Sequence, residues 1–449
     1  MKLKNNLSLK KSITLHKKIF SVYGLGNVGG PIAAAWLKKG AKVIGVDISK
    51  HLLEEIKQGH SHKHEPFISE IFSKSLSNNT LILSKDGVDA SKKSDIKIVS
   101  VPVAIKNSKI DLNIIKKAIV NISKGLKKGD TVIVCPSLPP GTCKKILLPI
   151  LEKNSNLKSE KDFYLIYNPE RIYEGRALQD IEENYPAIVS GIGKKSLVFA
   201  ENLLKIISKK GVVSMSSLEA AESEKLFEGV YRDVNIALAN ELSDFCKSTS
   251  TNYWEIVKAT NSQPFCHLHY PGTGVGGLCI PVYPQFVINS AKKSNVSTKL
   301  IEFAREINDT MPKKCAIESL KLIKKIKNKK IKIAVLGLSF RGDVYDSRLS
   351  PTYSVVDIFL KNGFQVAVHD PLIKNDNLLP KSVTLSENLS EVIKNASLIF
   401  VSTDHKQYKK LTKKQLTDEK NIIPIFDGRN ILDKKNFVGV KLVTIGKND

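Results

Sequence analysis

Short apolar runs alternate with amphipathic stretches along nearly the whole chain. Ile19-Phe-Ser-Val-Tyr23 is a β-rich run, followed by the small-residue turn Gly24-Leu-Gly-Asn-Val-Gly29 and the helical Ile32-Ala-Ala-Ala-Trp-Leu-Lys-Lys-Gly40. Lys42-Val-Ile-Gly-Val-Asp47 predicts a second strand, and Ile96–Pro102, Thr131–Cys135 and Phe163–Glu170 predict three more. Apolar residues at Ala221, Leu226, Val230, Val234, Ala237, Leu238 and Leu242 recur near a 3.6 period and predict a long helix from about Ser216 to Cys246. Helices are also expected near Tyr253–Thr260 and Thr298–Lys324. Strands at Ile331–Gly337, Phe364–Asp370, Ser397–His405 and Ile423–Asp427 then repeat the opening theme. Strands alternating with helices place the chain in the α/β class, with doubly wound parallel sheets whose ligands gather at the C-terminal strand ends.

The first strand, turn and helix carry specific chemistry. Gly24, Gly26 and Gly29 form a GxGxxG turn between strand and helix, and Asp47 closes the next strand at the expected distance. The first glycine makes the tight turn, the second lets backbone approach a pyrophosphate, and the third lets helix pack on strand. The helix N-terminus then faces the phosphates, with Asn27 and Val28 inside the turn. Asp47 would accept hydrogen bonds from a ribose 2′-hydroxyl and disfavour a 2′-phosphate, so the expected cofactor is NAD. Pro102 ends another strand at the same edge. Ser137, in Pro136-Ser-Leu-Pro-Pro-Gly-Thr142, and the pair Glu170 and Glu174 also lie just past strand ends. If that last segment is helical, the two glutamates are one turn apart and face one site.

Three further features add candidate chemistry. The long helix carries Glu222, Lys225, Asn235, Asn240 and Glu241, polar groups able to face a site. Tyr270–Pro284 holds four glycines and three prolines around a single cysteine, Cys279. A small-residue loop presenting one thiol suits a nucleophile that must reach a carbonyl, although most free cysteines are small buried hydrophobes. The second α/β repeat lacks the full glycine fingerprint but carries Arg341 and Arg348, whose forked donors suit phosphates.

Composition changes this picture little. The 449 residues suffice for two or three domains, and no apolar run reaches membrane-spanning length. The net charge of +26 raises nucleic-acid binding as a reading, but the lysines are spread over the whole chain. The positive field fits small anions such as dinucleotides and nucleotide sugars, and no nucleic-acid or membrane partner is expected. Residues 1–18 are basic without an apolar centre or cleavage site and read as a loose tail, not a signal peptide. The six cysteines show no paired metal-binding spacing, so thiols in a reducing cytoplasm and no metal are expected.

Six segments occur together in one order: GLGNVGGP, PSLPPGT, NPERIYEG, the Lys225 helix, PGTGVGGLCIP and GLSFRGDVYDSRLSP. In these the chain resembles the nucleotide-sugar 6-dehydrogenases, the UDP-glucose/GDP-mannose dehydrogenase family, from about Lys18 to Asn436. The resemblance implies two Rossmann-like doubly wound domains joined by a long central helix at a dimer interface. It implies a basic tail at 1–18, an NAD-binding domain at 19–210, a central helical region with the cysteine loop at 211–325 and a UDP-sugar-binding domain at 326–449. It also implies a cytoplasmic homodimer or higher homo-oligomer serving polysaccharide biosynthesis. The implied reaction oxidises a sugar C6 alcohol to a carboxylate with two NAD. Cys279 would be the nucleophile, Lys225 the cation beside the oxyanion, and Glu170 and Glu174 the groups managing protons and water. Arg171, Tyr231, His269, Gly274, Gly276, Phe340, Arg341 and Arg348 fall at substrate-binding positions.

The wording around Glu170 and Cys279 is similar to the UDP-N-acetylhexosamine branch, with UDP-N-acetyl-D-mannosamine the first expectation. UDP-N-acetylglucosamine and UDP-glucose are the alternatives. Four positions depart from the family pattern. Gly229 replaces an asparagine, Leu278 a histidine, Tyr283 an aspartate and Phe265 a nucleotide-contacting arginine. Such changes are compatible with an active, retuned enzyme or with a catalytically degraded nucleotide-sugar-binding paralogue.

Overall fold

A computed structural model describes residues 2–14, 16–62, 65–106, 109–324, 330–416 and 422–447. The chain divides into two compact units, Met1–Phe227 and Glu228–Asp449.

The first unit is built on an eight-stranded sheet. From edge to edge its strands are Leu81–Ser84, Lys42–Val46, Ile19–Tyr23, Ile96–Val99, Thr131–Val134, Tyr164–Tyr167, Ala187–Gly191 and Val212–Ser214. Ile19–Tyr23 and Ile96–Val99 are neighbours although two elements of the sheet intervene in sequence, so the strand order reverses between them. Such a switch point opens a crevice at the C-terminal strand ends. Both faces are covered. Phe20 and Trp36 stack at 4.5 Å within one core, and Tyr23, Ile119, Phe163 and Tyr167 belong to the other. Burial on two faces explains why these strands read as continuous apolar runs.

Three details of this unit differ from expectation. Ala187–Gly191 joins Tyr164–Tyr167 antiparallel, because the segment between them holds only the short turns Ala177–Gln179 and Asp180–Asn184, without a full crossover helix. A small antiparallel pair, Ala104–Lys106 with Lys109–Asp111, follows the fourth strand. The opening segment is not a loose tail. Lys2–Thr14 is helical, Ile13 is fully buried in the first core and Leu9 packs against that core. These two apolar side chains, one turn apart, lie on one face of the helix and pack it on the core.

The second unit carries a six-stranded, all-parallel sheet in the order Thr384–Ser386, Gln365–His369, Lys332–Leu336, Leu398–Val401, Ile425–Asp427, Leu442–Thr444. Its switch point lies between Lys332–Leu336 and Leu398–Val401. The helix Pro351–Lys361 starts where the sequence marks it: Ser350 accepts from the Thr352 N–H at 3.2 Å and Pro351 occupies the first turn. The long helix spans Leu218–Ser248. Within this unit it is tied to the helix Lys299–Leu320 by a buried network. Arg305 pairs with Asp233, Asn308 donates to Asp233 at 2.8 Å, and Asn240 donates to Asn308 at 3.0 Å. Burial pushes the Asp233 carboxyl up to about 6 in spite of Arg305. Among the described residues no helix is long and apolar enough to cross a membrane.

Candidate active site

In the first unit the glycine turn sits at the switch point. Gly24 takes φ +87° and donates to the Val46 carbonyl at 2.8 Å. Ser100, after the fourth strand, donates from Oγ to the Tyr23 and Gly24 carbonyls at 2.9 and 2.8 Å. A Cβ on Gly29 would lie 1.8 Å from the Gly24 carbonyl oxygen and 2.3 Å from Ser100 Oγ, whereas one on Gly26 would meet nothing within 4 Å among the described residues. The two glycines therefore serve different ends. Gly29 lets the helix Gly29–Lys38 close on the strand, and Gly26 faces open space. Asn27 beside it is exposed, and the helix has Val28 at its N-cap with no side-chain cap bond. Gly30 donates to the Gly26 carbonyl at 2.9 Å and Pro31 carries no N–H, so the helix start offers an anion the Gly29 N–H.

Asp47 carries one backbone N–H on each carboxylate oxygen, from Leu25 at 2.8 Å and Ser49 at 2.9 Å. Each oxygen can accept a second donor. An open second glycine, a closed third one, an uncapped helix start and an acid beside the turn fit NAD. Asp47→Ala should weaken NAD binding about tenfold, the scale of one charge-assisted hydrogen bond, and narrow the gap to NADP. Calorimetry with both dinucleotides checks this, and equal wild-type affinities would contradict the role.

The neighbouring strand ends bring further residues to this edge. Pro102 is exposed after the fourth strand and Ser137 half-buried after the fifth. The loop through Ser137 is fastened to the long helix, since Glu222 accepts from the Gly141 N–H and from the Cys143 N–H at 2.8 Å. Burial pushes the Glu222 carboxyl up to about 7. Glu222 is thus a structural anchor, and Lys225, also buried, follows it by three residues.

The segment holding Glu170 and Glu174 is not helical, so the pair does not share a helix face. After Pro169 the backbone is irregular, and Gly175 at φ +94° turns it. Glu170 accepts from the Ile172 N–H at 3.1 Å, stabilising that turn. Arg171 lies 3.9 Å from Glu224 and over the Tyr185 ring. The far end is held by Glu65, buried, which accepts from Gly175 at 2.6 Å and Ala177 at 2.9 Å. The sequence carries no local signal for Glu65, because its partners lie more than a hundred residues away.

In the second unit Cys279 is exposed in the turn that enters the helix Tyr283–Lys293, and its carbonyl accepts from Val282 at 3.1 Å and Tyr283 at 2.9 Å. Proximity to a helix N-terminus favours a thiolate. The Tyr283 hydroxyl donates to the Cys279 sulfur at 3.2 Å. The other described thiols differ. Burial pushes Cys135 and Cys143 far up and Cys315 up to about 12, Cys246 is buried, and Cys266 is half-buried.

The glycines of the cysteine loop are needed for close approach. Gly272 donates to Asn240 at 3.0 Å, so Asn240 anchors the loop. A Cβ on Gly274 (φ +143°) would press on Pro351 and Pro312, and one on Gly276 would lie 2.6 Å from the Leu349 carbonyl and 2.8 Å from Phe340. Gly277 donates to the Arg348 carbonyl at 3.0 Å. The structure thus gathers Gly274, Gly276, Phe340 and Arg348 at the switch point of the second sheet. Arg348 is held by Asp346 at 2.6 Å, and burial lowers Arg341, beside the Phe340 ring, to about 10. Tyr231, half exposed, meets His269 edge-on at 5.9 Å, and partial burial lowers the His269 imidazole.

Arg429 carries no local signal in the sequence. It donates to the Ser402 carbonyl at 2.7 Å and reaches the Gly274 carbonyl at 3.4 Å. Asp370 ends the second strand as Asp47 does in the first sheet, but it is fully buried and accepts from Leu338, Ser339, Leu372 and Ile373 N–H groups. Burial raises it, and His405 with these donors outweighs that and holds it well below the usual carboxylate range. It is committed to the fold and not to a ribose.

Comparison with known proteins agrees with this division of chemistry. Residues 18–208 match the NAD binding domain of the UDP-glucose/GDP-mannose dehydrogenase family, 219–310 its central domain and 334–434 its UDP binding domain. A UDP-N-acetyl-D-mannosamine dehydrogenase from Pyrococcus horikoshii is 32% identical over 431 residues, covering 96% of this chain and 99% of the relative. The enzyme of that name from Methanococcus aeolicus is 32% identical over 434 residues, covering 96% and 94%. The solved structure of the UDP-D-ManNAc dehydrogenase from Pyrococcus horikoshii superposes with a TM-score of 0.87 at 31% identity, covering 95% of this chain and 99% of that one. The chain belongs to the UDP-glucose/GDP-mannose dehydrogenase family of NAD-dependent nucleotide-sugar dehydrogenases.

Proposed function

We propose that the protein oxidises the C6 hydroxyl of a UDP-N-acetylhexosamine, UDP-N-acetyl-D-mannosamine, to the uronic acid through a covalent intermediate on Cys279. The observation that carries the covalent step is the exposed Cys279 thiol at the head of a helix, while four other thiols are buried. The choice of sugar is supported by the names of the relatives at about this chain's full length. Bound at the glycine turn, NAD would accept hydride from the sugar's C6 carbon, twice per sugar.

The chain's own residues supply the rest. A carboxylate, Glu170 or Glu174, takes the C6 hydroxyl proton as the aldehyde forms. The Cys279 thiolate then adds to the aldehyde carbon, giving a thiohemiacetal whose oxyanion is offset by Lys225. Loss of hydride from that carbon leaves a thioester. Water, deprotonated by a glutamate, adds to it and expels the thiolate. The carboxylate product departs and Cys279 is regenerated. Phe340, Arg341, Arg348, Gly274 and Gly276 hold the nucleotide, with Arg171, Tyr231 and His269 on the sugar side. Ser137 and Pro102 border the cofactor.

NADH absorbance over a panel of UDP-N-acetylmannosamine, UDP-N-acetylglucosamine, UDP-glucose and GDP-mannose tests the substrate. The first is expected to give the highest kcat/KM. A higher value with UDP-glucose would move the assignment, and no NADH from any of them, with folded protein, would overturn it.

A further inference from the structure

Gly229 and Tyr283 stand 54 positions apart, yet they occupy one space. A Cβ built on Gly229 would lie 2.5 Å from Tyr283 Cδ2 and 3.0 Å from its Cβ. Gly229 sits inside the 31-residue helix Leu218–Ser248. There glycine costs about 1 kcal/mol relative to alanine, and this glycine has no positive φ to require it. The close approach of the tyrosine ring supplies the reason. That ring is only 6% exposed, and its hydroxyl ends 3.2 Å from the Cys279 sulfur as donor. Tyr283 is also the first residue of its helix and donates its backbone N–H to the Cys279 carbonyl at 2.9 Å. It therefore grips both ends of the cysteine residue.

We infer that Gly229 and Tyr283 are one device: the glycine clears a slot for the tyrosine ring, and the tyrosine hydroxyl holds and stabilises the Cys279 thiolate. This rests on Cys279 being the nucleophile and adds the residue that tunes it. The two departures from the family pattern are then a matched replacement and not independent losses. A hydrogen bond donated to the charged form of an acid favours that form. The phenol keeps its own proton; the thiol proton leaves to solvent, so no proton is transferred between the two side chains. Arg232, exposed three residues after Gly229 on the same helix, is a charged neighbour of this sulfur, with Glu228 beside it.

The test is alkylation of Cys279 by iodoacetamide as a function of pH, in a Cys266→Ser background so that the other half-accessible thiol is silent. Tyr283→Phe keeps the ring and removes the donor. It should move the midpoint of the profile to higher pH and slow alkylation at neutral pH about tenfold, with unchanged thermal unfolding and a lower kcat at unchanged KM. An unchanged profile in Tyr283→Phe would overturn the inference. If wild type makes no NADH while the profile still shifts, the enzymatic reading fails and the thiol–tyrosine pairing stands. The glycine half is tested separately. Gly229→Ala should lower the unfolding temperature and slow alkylation in the wild-type background, and should do neither in a Tyr283→Ala background. Equal effects in both backgrounds would show that the two positions are not coupled.

Discussion

Cys279→Ser is expected to lower NADH production by at least about a hundredfold, the scale of losing one nucleophilic or oxyanion contribution. Serine has the size to occupy the turn, so the loop should persist. Its hydroxyl is a poor nucleophile at neutral pH, and an ester formed on it would hydrolyse more slowly than a thioester. NAD affinity should remain, because Gly24, Gly26, Gly29 and Asp47 belong to the other compact unit. The controls are Cys135→Ser and Cys266→Ser. Cys135 is buried, and burial pushes its thiol well up; Cys266 lies outside the glycine loop. Both should retain most of the turnover. Near-normal NADH from Cys279→Ser, with another cysteine variant dead, would show that the nucleophile has been misplaced.

Gly29→Ala should be among the most damaging single-methyl changes in the chain. Its new Cβ would fall 1.8 Å from the Gly24 carbonyl oxygen, a backbone atom that cannot rotate away. Overpacking of this kind costs about 1–3 kcal/mol, and the rigid neighbour places it at the upper end. The helix must lift from the strand or the turn must open, so NAD affinity should fall at least about tenfold as well. Gly26→Ala is the informative partner. Its Cβ meets no atom of the described residues within 4 Å, so stability should hold while the dinucleotide loses its close approach to the backbone. Unfolding curves and NAD calorimetry separate the two. A Gly29→Ala protein with wild-type stability and affinity would refute the packing derived for this turn.

The residues that build the sheets and the NAD turn were legible because their signals are local. Apolar runs such as Thr131–Val134, the 3.6-residue period of Leu218–Ser248 and the glycines at 24, 26 and 29 each declare their role within a few positions. What escaped is held by distant partners. Glu222, expected only as a polar group able to face a site, fastens the Ser137 loop across 79 and 81 positions, and Glu65 fastens the Glu170 loop across 110 and 112. A lone glutamate in a loop or on a helix looks solvated until the N–H groups that it accepts from are located. The opening helix escapes a sequence reading because, among its described side chains, Leu9 and Ile13 alone mark a packed side. Gly229 and Tyr283 stand in the sequence as two separate departures from the family pattern, and the 2.5 Å approach shows them as a pair.

The most direct measurement is the NADH yield and product from a limiting amount of UDP-N-acetylmannosamine with excess NAD and wild-type protein. Two NADH per sugar and a UDP-linked carboxylate, with no aldehyde escaping to a trapping hydrazine, are expected if Cys279 holds the intermediate through both oxidations. One NADH per sugar with aldehyde released, or a nucleotide sugar bound and returned unchanged, would contradict it.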